Sequence, residues 1–191
     1  KKFKLIKDKY FLISFHREEN VLNAKKVRKF IDLLDYLAKE YKQKVIVSTH
    51  FRTKEVLKQN KFSNNLVEFH KPFGFIDYIN LEINSKIVFS DSGSLTEESS
   101  ILNFPAIDLR EENERPEGME EGIVALTGLD LKKVKTGMKF LLDKKKIINS
   151  SKKISVNDYR STNFSDKVVN SIISYINYIN KKNWFKYTDS D

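Results

Sequence analysis

The chain is expected to be an α/β protein built on a doubly wound, Rossmann-like parallel sheet. Three observations lead there. Short apolar runs alternate with amphipathic helical stripes along most of the 191 residues. Parallel strands joined by helical crossovers are the economical way to bury such an alternation. Polar clusters carrying His, Arg and acidic residues follow the apolar runs, and in open α/β sheets the ligand sits outside the carboxyl ends of the strands.

The elements follow in order. Tyr10 to Ser14 (YFLIS) reads as a buried strand. Asn23 to Tyr41 then repeats apolar residues at helical spacing, with Val27, Phe30, Ile31, Leu34, Leu37 and Tyr41 on one face. Val45 to Val47 is a second strand and Thr53 to Gln59 a short helix. Leu66 to Phe69 is a third strand, followed by a helix over Phe75 to Ile83. Ile87 to Ser90 is the fourth strand, Leu95 to Leu102 its helix and Ala106 to Leu109 the fifth strand. Gly122 to Leu126 is a candidate sixth strand, and Leu131 to Leu142 another helix. Residues 149–165 are polar and irregular. Asp166 to Ile179 is a last helix, and its stripe of Val168, Val169, Ile172, Ile173, Ile176 and Ile179 must be buried somewhere.

Composition narrows the function. With 40% apolar residues the chain can bury a real core. It has no cysteine, which excludes a disulfide scaffold, a thiolate nucleophile and a zinc–thiolate site. No run approaches the ~20 apolar residues of a membrane span. No signal peptide opens the sequence, so a soluble, cytoplasmic protein without a membrane partner is expected. The net charge of +9 rests mainly on scattered lysines such as Lys25-Lys26, Lys132-Lys133 and Lys144 to Lys146. Without an Arg-rich stripe or interleaved stacking aromatics, these read as solvated surface, and no nucleic-acid partner is expected.

The most informative segment is Phe89 to Glu98 (FSDSGSLTEE). A strand that feeds a helix through a small polar turn presents free N–H groups and a positive dipole end, which suit an anion such as a diphosphate. Glu98, about one and a half turns into the helix, is within reach of an adjoining sugar hydroxyl. On this segment alone the commoner reading is an ordinary capped helix, with Asp91 or Ser92 as cap. The other strand ends add weight. Residues 15–20, 48–52, 70–72, 91–94 and 110–118 together hold all three histidines and four arginines, as expected of one site for an anionic ligand.

Three motifs carry a resemblance: HREEN at 16–20, DSGSLTEE at 91–98 and REENERPEG at 110–118. In this order and spacing they resemble the HR-x-EN, DSGG-x-QEE and R-x-x-x-ERPE-x motifs of the non-hydrolysing UDP-N-acetylglucosamine 2-epimerases. The resemblance covers roughly residues 10–180. It implies the second half of a glycosyltransferase-B fold, with the nucleotide sugar in the cleft between two domains. Residues 1–9 would be a linker from a first domain outside this sequence, 10–148 the UDP-binding domain and 149–165 a polar connection. Residues 166–188 would be a helix crossing back to the first domain, which would account for the apolar stripe. The implied reaction is anti elimination of UDP to a 2-acetamidoglucal, then re-addition with inverted C2. The implied partners are a UDP-sugar substrate, the first domain and a second copy in a homodimer, with no cofactor and no metal.

Matched motif by motif, His16 and Arg17 stand at the catalytic positions. Ser92, Gly93 and Ser94 match the diphosphate site and Glu98 the acid on the ribose hydroxyls. Arg110, Glu114 and Arg115 match polar residues facing the cleft, and Tyr78 falls where the family places an aromatic near the uracil. The chain departs from the pattern at Ser94, in place of the second glycine, and at Thr96, in place of glutamine. A side chain at position 94 restricts the loop to φ values that L-residues tolerate. The run Thr49 to Thr53 (THFRT) also differs from the H-x-NP run of many members. These departures resemble a subgroup that acts on UDP-2-acetamido-2,6-dideoxy-L-talose to make UDP-N-acetyl-L-fucosamine for capsule or O-antigen. A glycosyltransferase-B domain is the alternative from another class, although it would not account for HREEN together with ERPEG.

Overall fold

A computed structural model of the chain describes residues 5–49, 53, 55–57, 62–112, 115–148 and 155–186. It divides into two units, Lys1–Val156 and Asn157–Asp191.

The first unit is built on a six-stranded parallel sheet of order β3-β2-β1-β4-β5-β6. The strands are β1 (Tyr10–Ser14), β2 (Lys44–Ser48), β3 (Val67–His70), β4 (Val88–Ser90), β5 (Ala106–Asp108) and β6 (Val124–Leu126). Each lies within about two residues of its expected position, and the sixth strand is real. The helices of this unit are α1 (Glu18–Val21), α2 (Ala24–Tyr41), α3 (Phe75–Asn84), α4 (Leu95–Leu102), α5 (Pro116–Glu120) and α6 (Leu131–Ile148). Thr53 and residues 55–57 are also helical, whereas the rest of the helix expected over Thr53 to Gln59 lies outside the described residues.

Burial explains why these strands read as continuous apolar runs. Phe11, Leu12, Ile13, Val45, Ile46, Val47, Val88, Phe89 and Ile107 are all inaccessible to solvent, as in a sheet covered on both faces. Burying each such side chain contributes roughly 1.5–3 kcal/mol before the entropy of ordering it. Helix α2 packs Val27, Phe30, Leu33, Leu34, Leu37 and Ala38 inward. Leu33 and Ala38 thus join the expected stripe, while Ile31 and Tyr41 sit at its half-buried margin. Asn23 starts this helix by accepting from the Lys25 and Lys26 amides at 3.0 and 3.2 Å.

Two details position the functional end of the sheet. Phe15, the residue after β1, stacks on Phe30 of α2 with ring centroids 4.1 Å apart and an interplanar angle of 12°. That contact fixes the chain just before His16. Asn103 then ends α4 in the left-handed region at φ 60°, a conformation Asn tolerates better than most residues, and turns the chain into β5.

The second unit contains a 3-10 turn over Asn157–Arg160 and helix α7 (Phe164–Lys182). The turn adds structure to a stretch expected to be irregular, and α7 is longer at both ends than the expected Asp166 to Ile179. Its stripe, Val168, Val169, Ile172, Ile173, Ile176 and Ile179, is exposed. No described helix is long and apolar enough to cross a membrane.

Candidate functional site

The strand order reverses direction between β1 and β4, which are hydrogen-bonded neighbours although about 75 residues apart in sequence. Loops leaving two such strands diverge to opposite sides and open a crevice at their carboxyl ends. Here those loops are His16–Asn20 and Asp91–Ser94.

Asp91 joins them. Its buried carboxylate accepts from the His16 amide at 3.2 Å and the Arg17 amide at 3.0 Å. It also accepts from Asn20 Nδ2 at 3.1 Å, and His16 Nδ1 lies 3.1 Å from Oδ1. Lys26 Nζ in turn donates to Asn20 Oδ1 at 2.9 Å. Asp91 therefore does not cap α4. The N-cap residue is Ser94, whose side chain makes no capping bond, so the capped-helix reading with Asp91 or Ser92 is corrected. An aspartate carboxylate has lone pairs for four donors, and the His16 loop supplies them better than one helix end could.

This arrangement sets two protonation equilibria. The hydrogen bond to Asp91 raises the His16 pKa above 6.5, against partial burial and the nearby Arg17 charge. Burial alone would raise Asp91, but the bonds from His16, Arg17 and Asn20 outweigh it and hold the carboxyl below its ordinary value. With its side chain 48% exposed, His16 presents its ring to the crevice while Asp91 stays inaccessible.

The β4–α4 loop forms the opposite wall. Ser92 N donates to Ser90 Oγ at 3.0 Å, and the Ser92 and Ser94 hydroxyls lie 3.1 Å apart. Ser94 adopts φ −70° and ψ −9°, well inside the range open to any L-residue. The loop therefore keeps its shape without the glycine expected at this position. Gly93 does matter: a Cβ there would come within 2.9 Å of Arg115 Nη1, so Arg115 lies directly over the loop. Arg115 is held by an ion pair from its Nε to Glu97 Oε1. Glycine at 93 and the Arg115–Glu97 pair thus place a guanidinium beside the amino end of α4, where the first amides lack helical partners.

Glu98 follows one turn later, between the Ser94 hydroxyl and Glu82 of α3, and burial raises its pKa. On α3, Tyr78 has its hydroxyl near Ser14, and burial, with Glu82 adding to it, raises its pKa. Together with Ser14, His16, Ser48, Thr49 and Phe73 it lines a cavity of about 290 Å³. Arg110 sits beyond β5, its amide donating to the buried Asp108 at 2.8 Å. Burial pushes the Asp108 carboxyl up to about 6.

His16, Arg17, Ser92, Gly93, Ser94 and Arg115 thus converge on one crevice, with Tyr78 and Glu98 on its α3–α4 side. Glu114 lies outside the described residues, as do His50 and Arg52. His70 is tied to Glu68 at 3.3 Å. Sequence reasoning missed the roles of Asn20, Glu82 and Glu97. It also missed α5, although Pro116 at the first helical turn with Glu117 behind it is a recognised start signal. No group of His and acidic residues able to hold a metal occurs among the described residues.

Comparison with known proteins bears on this geometry. Residues 1–173 match a protein-family model described as UDP-N-acetylglucosamine 2-epimerase. The UDP-N-acetylglucosamine 2-epimerase of Methanocaldococcus jannaschii is 35% identical over 147 residues, 74% of this chain and 40% of that protein. The solved structure of UDP-N-acetylglucosamine 2-epimerase from Rickettsia bellii superposes with a TM-score of 0.81 at 36% identity, over 97% of this chain and 49% of that one. The M. jannaschii enzyme in complex with UDP-GlcNAc and UDP superposes with a TM-score of 0.74 at 30% identity, over 89% of this chain and 46% of that one. The chain therefore spans less than half the length of these relatives.

Proposed function

The chain belongs to the UDP-N-acetylglucosamine 2-epimerase family, and from that premise we propose that it is the nucleotide-holding half of an isomerase inverting C2 of a UDP-2-acetamido sugar. One observation carries the reading. The loops after β1 and β4, with a histidine on one and a helix amino end on the other, meet at the sheet's switch point and are locked together by Asp91.

In this reading the diphosphate lies against Ser92, Gly93 and Ser94, where the amides of the first turn of α4 donate to it. Arg115, with Arg17 and Arg110 nearby, balances its charge, Glu98 accepts from the ribose hydroxyls, and Tyr78 packs against the uracil. The reaction breaks the C1–O bond to UDP as a proton leaves C2, giving a 2-acetamidoglucal. UDP then returns to C1 as C2 is reprotonated on its other face. His16 stands by the departing diphosphate, where a protonated imidazole stabilises the developing charge and transfers a proton. The carboxylates that exchange the C2 proton belong mostly to the first domain. The stripe on α7 is the surface that domain covers, the second copy of the enzyme makes a homodimer, and the protein works in the cytoplasm without cofactor or metal.

A second reading differs only in the sugar. Ser94 and Thr96 favour the subgroup that epimerises UDP-2-acetamido-2,6-dideoxy-L-talose for capsule or O-antigen. Offering both nucleotide sugars to the full-length protein and following C2 by NMR separates the two. Inversion of UDP-N-acetylglucosamine with the deoxy sugar inert excludes the subgroup.

Nucleotide binding is tested by calorimetry with UDP and its 2′,3′-dideoxyribose analogue. UDP should bind more tightly, and Glu98→Ala should remove roughly 1–3 kcal/mol, the value of hydrogen bonds to a charged group. Equal affinity for both nucleotides would take Glu98 out of the site.

A further inference from the structure

Glu82 is a charged residue type in a place where charge is costly. It sits on α3 one turn after Tyr78, is 0% exposed, and neither of its side-chain oxygens has a hydrogen-bond donor among the described residues. Buried carboxyls are otherwise paired, because an unpaired ionised one forfeits its hydration without return. The neighbouring group is the Glu98 carboxyl, reaching over from α4. Two carboxylates are both acceptors and cannot bond to each other. A carboxylic acid beside a carboxylate can, with the protonated partner as donor.

Resting on the reading of Glu98 as the ribose acid, we infer that Glu82 is its positioning residue: a buried neutral carboxyl on α3 whose O–H donates to Glu98 and aims the free oxygen of Glu98 at the nucleotide. The division of roles follows from burial. Glu82 is the more deeply buried of the two, and the carboxyl it faces is that of Glu98. Glu98 also has the Ser94 hydroxyl, which favours its ionised form. Among the described residues, the other titratable groups acting on the pair are Tyr78 on the same helix, Glu97 beside Glu98 on α4, and Asp91 across from Tyr78. None supplies a positive charge that would ionise Glu82 at neutral pH. Burial, reinforced by Glu98, pushes the Glu82 carboxyl far above the usual carboxylate range, so it stays protonated at neutral pH.

The consequence is a dependence of nucleotide affinity on a residue that does not touch the nucleotide. Glu82→Gln keeps a donor at all pH values. Glu82→Met keeps the volume and removes the donor.

The test is calorimetric titration of the wild type, Glu82→Gln, Glu82→Met and Glu98→Ala with UDP and with 2′,3′-dideoxy-UDP, from pH 7 to pH 10. At pH 7 Glu82→Gln should match the wild type. Glu82→Met should bind UDP roughly tenfold more weakly while its affinity for the dideoxy analogue is unchanged, the effect of one hydrogen bond to a charged group. Approaching pH 10 the wild type should lose affinity relative to Glu82→Gln. Titration of the uracil ring is common to both proteins and cancels in that ratio. Thermal melting of Glu82→Met at or above the wild-type temperature shows that the loss is not unfolding, since an apolar side chain suits the buried position. Wild-type UDP affinity in Glu82→Met, or an equal loss for both nucleotides, overturns the inference. If Glu98→Ala fails to discriminate the nucleotides, or the wild type does not bind UDP, the ribose reading falls and Glu82 with it. Discrimination lost in Glu98→Ala but kept in Glu82→Met overturns the positioning role alone.

Discussion

Asp91 shows how much one residue can organise. Its position between a strand and a helix made it a natural cap in sequence, yet it binds the His16 loop, because partners 71 to 75 residues away are supplied by topology alone. Asp91→Ala should destabilise the protein by about 3 kcal/mol, since it strands the part-buried His16 and Arg17 amides and the buried Asn20 together. In Asp91→Asn the His16 pKa, followed by NMR, should fall toward that of a free imidazole; an unmoved titration would mean that Asp91 does not set it. The signs differ for the two partners. His16 is raised, so its contribution to stability is complete below pH 6.5 and is lost as pH rises through the folded value. Asp91 is lowered, so its contribution is present above pH 3.8 and is lost as pH falls through the folded value. Asp108 behaves in the opposite way to Asp91. Raised to about 6, it makes the folded state less stable as pH climbs from 3.8 toward that value. Asp108→Asn should therefore gain about 1–3 kcal/mol at pH 7, at ~1.4 kcal/mol per pKa unit, and nothing at pH 3. Urea melts at both pH values check this, and equal gains would refute it.

At the scale of elements, what was legible was what repeats. The strands announced themselves by continuous apolar runs, and α2 by its period, because both patterns record burial directly. Short helices did not. Glu18–Val21 and Pro116–Glu120 bury too little surface to impose a period, and their ends depend on neighbours. The contact of α5 with α4 illustrates this. A Cβ at Gly118 would collide with the Thr96 methyl, so the glycine of ERPEG and the threonine of LTEE fit each other. Gly118→Ala should cost about 1–3 kcal/mol, as over-packing does. Thr96→Ser removes the methyl while keeping the hydroxyl, so Gly118→Ala should cost much less in that background. A double-mutant cycle by chemical denaturation measures the coupling. Additive changes would mean that the two helices do not bear on each other at this point.

For the molecule as a whole, the sequence revealed which end of the sheet matters, because His, Arg and small polar residues gather after the strands. It could not reveal how many of the acids are already engaged. Asp91 is occupied by the His16 loop, Asp108 accepts from the Arg110 amide, Glu97 holds Arg115, and Glu98 pairs with Glu82. Each is a partner in positioning a neighbour, and protonating or moving any of them would disturb the crevice that it supports. A residue exchanging a proton with C2 must instead change its charge in every cycle while the nucleotide stays in place. These four engaged acids are therefore poor bases for that step, which accords with the proposal that the C2 carboxylates come from a first domain. The expected outcome is that this chain binds UDP but does not invert C2 of a UDP-sugar, whereas the full-length protein does both. Deuterium incorporation at C2 in D₂O, followed by NMR, measures the step directly, because every reprotonation leaves a label. Wash-in of label by the chain alone at a rate within about tenfold of the full-length enzyme, one kcal/mol or so in barrier, would show that one of these engaged acids is the base after all.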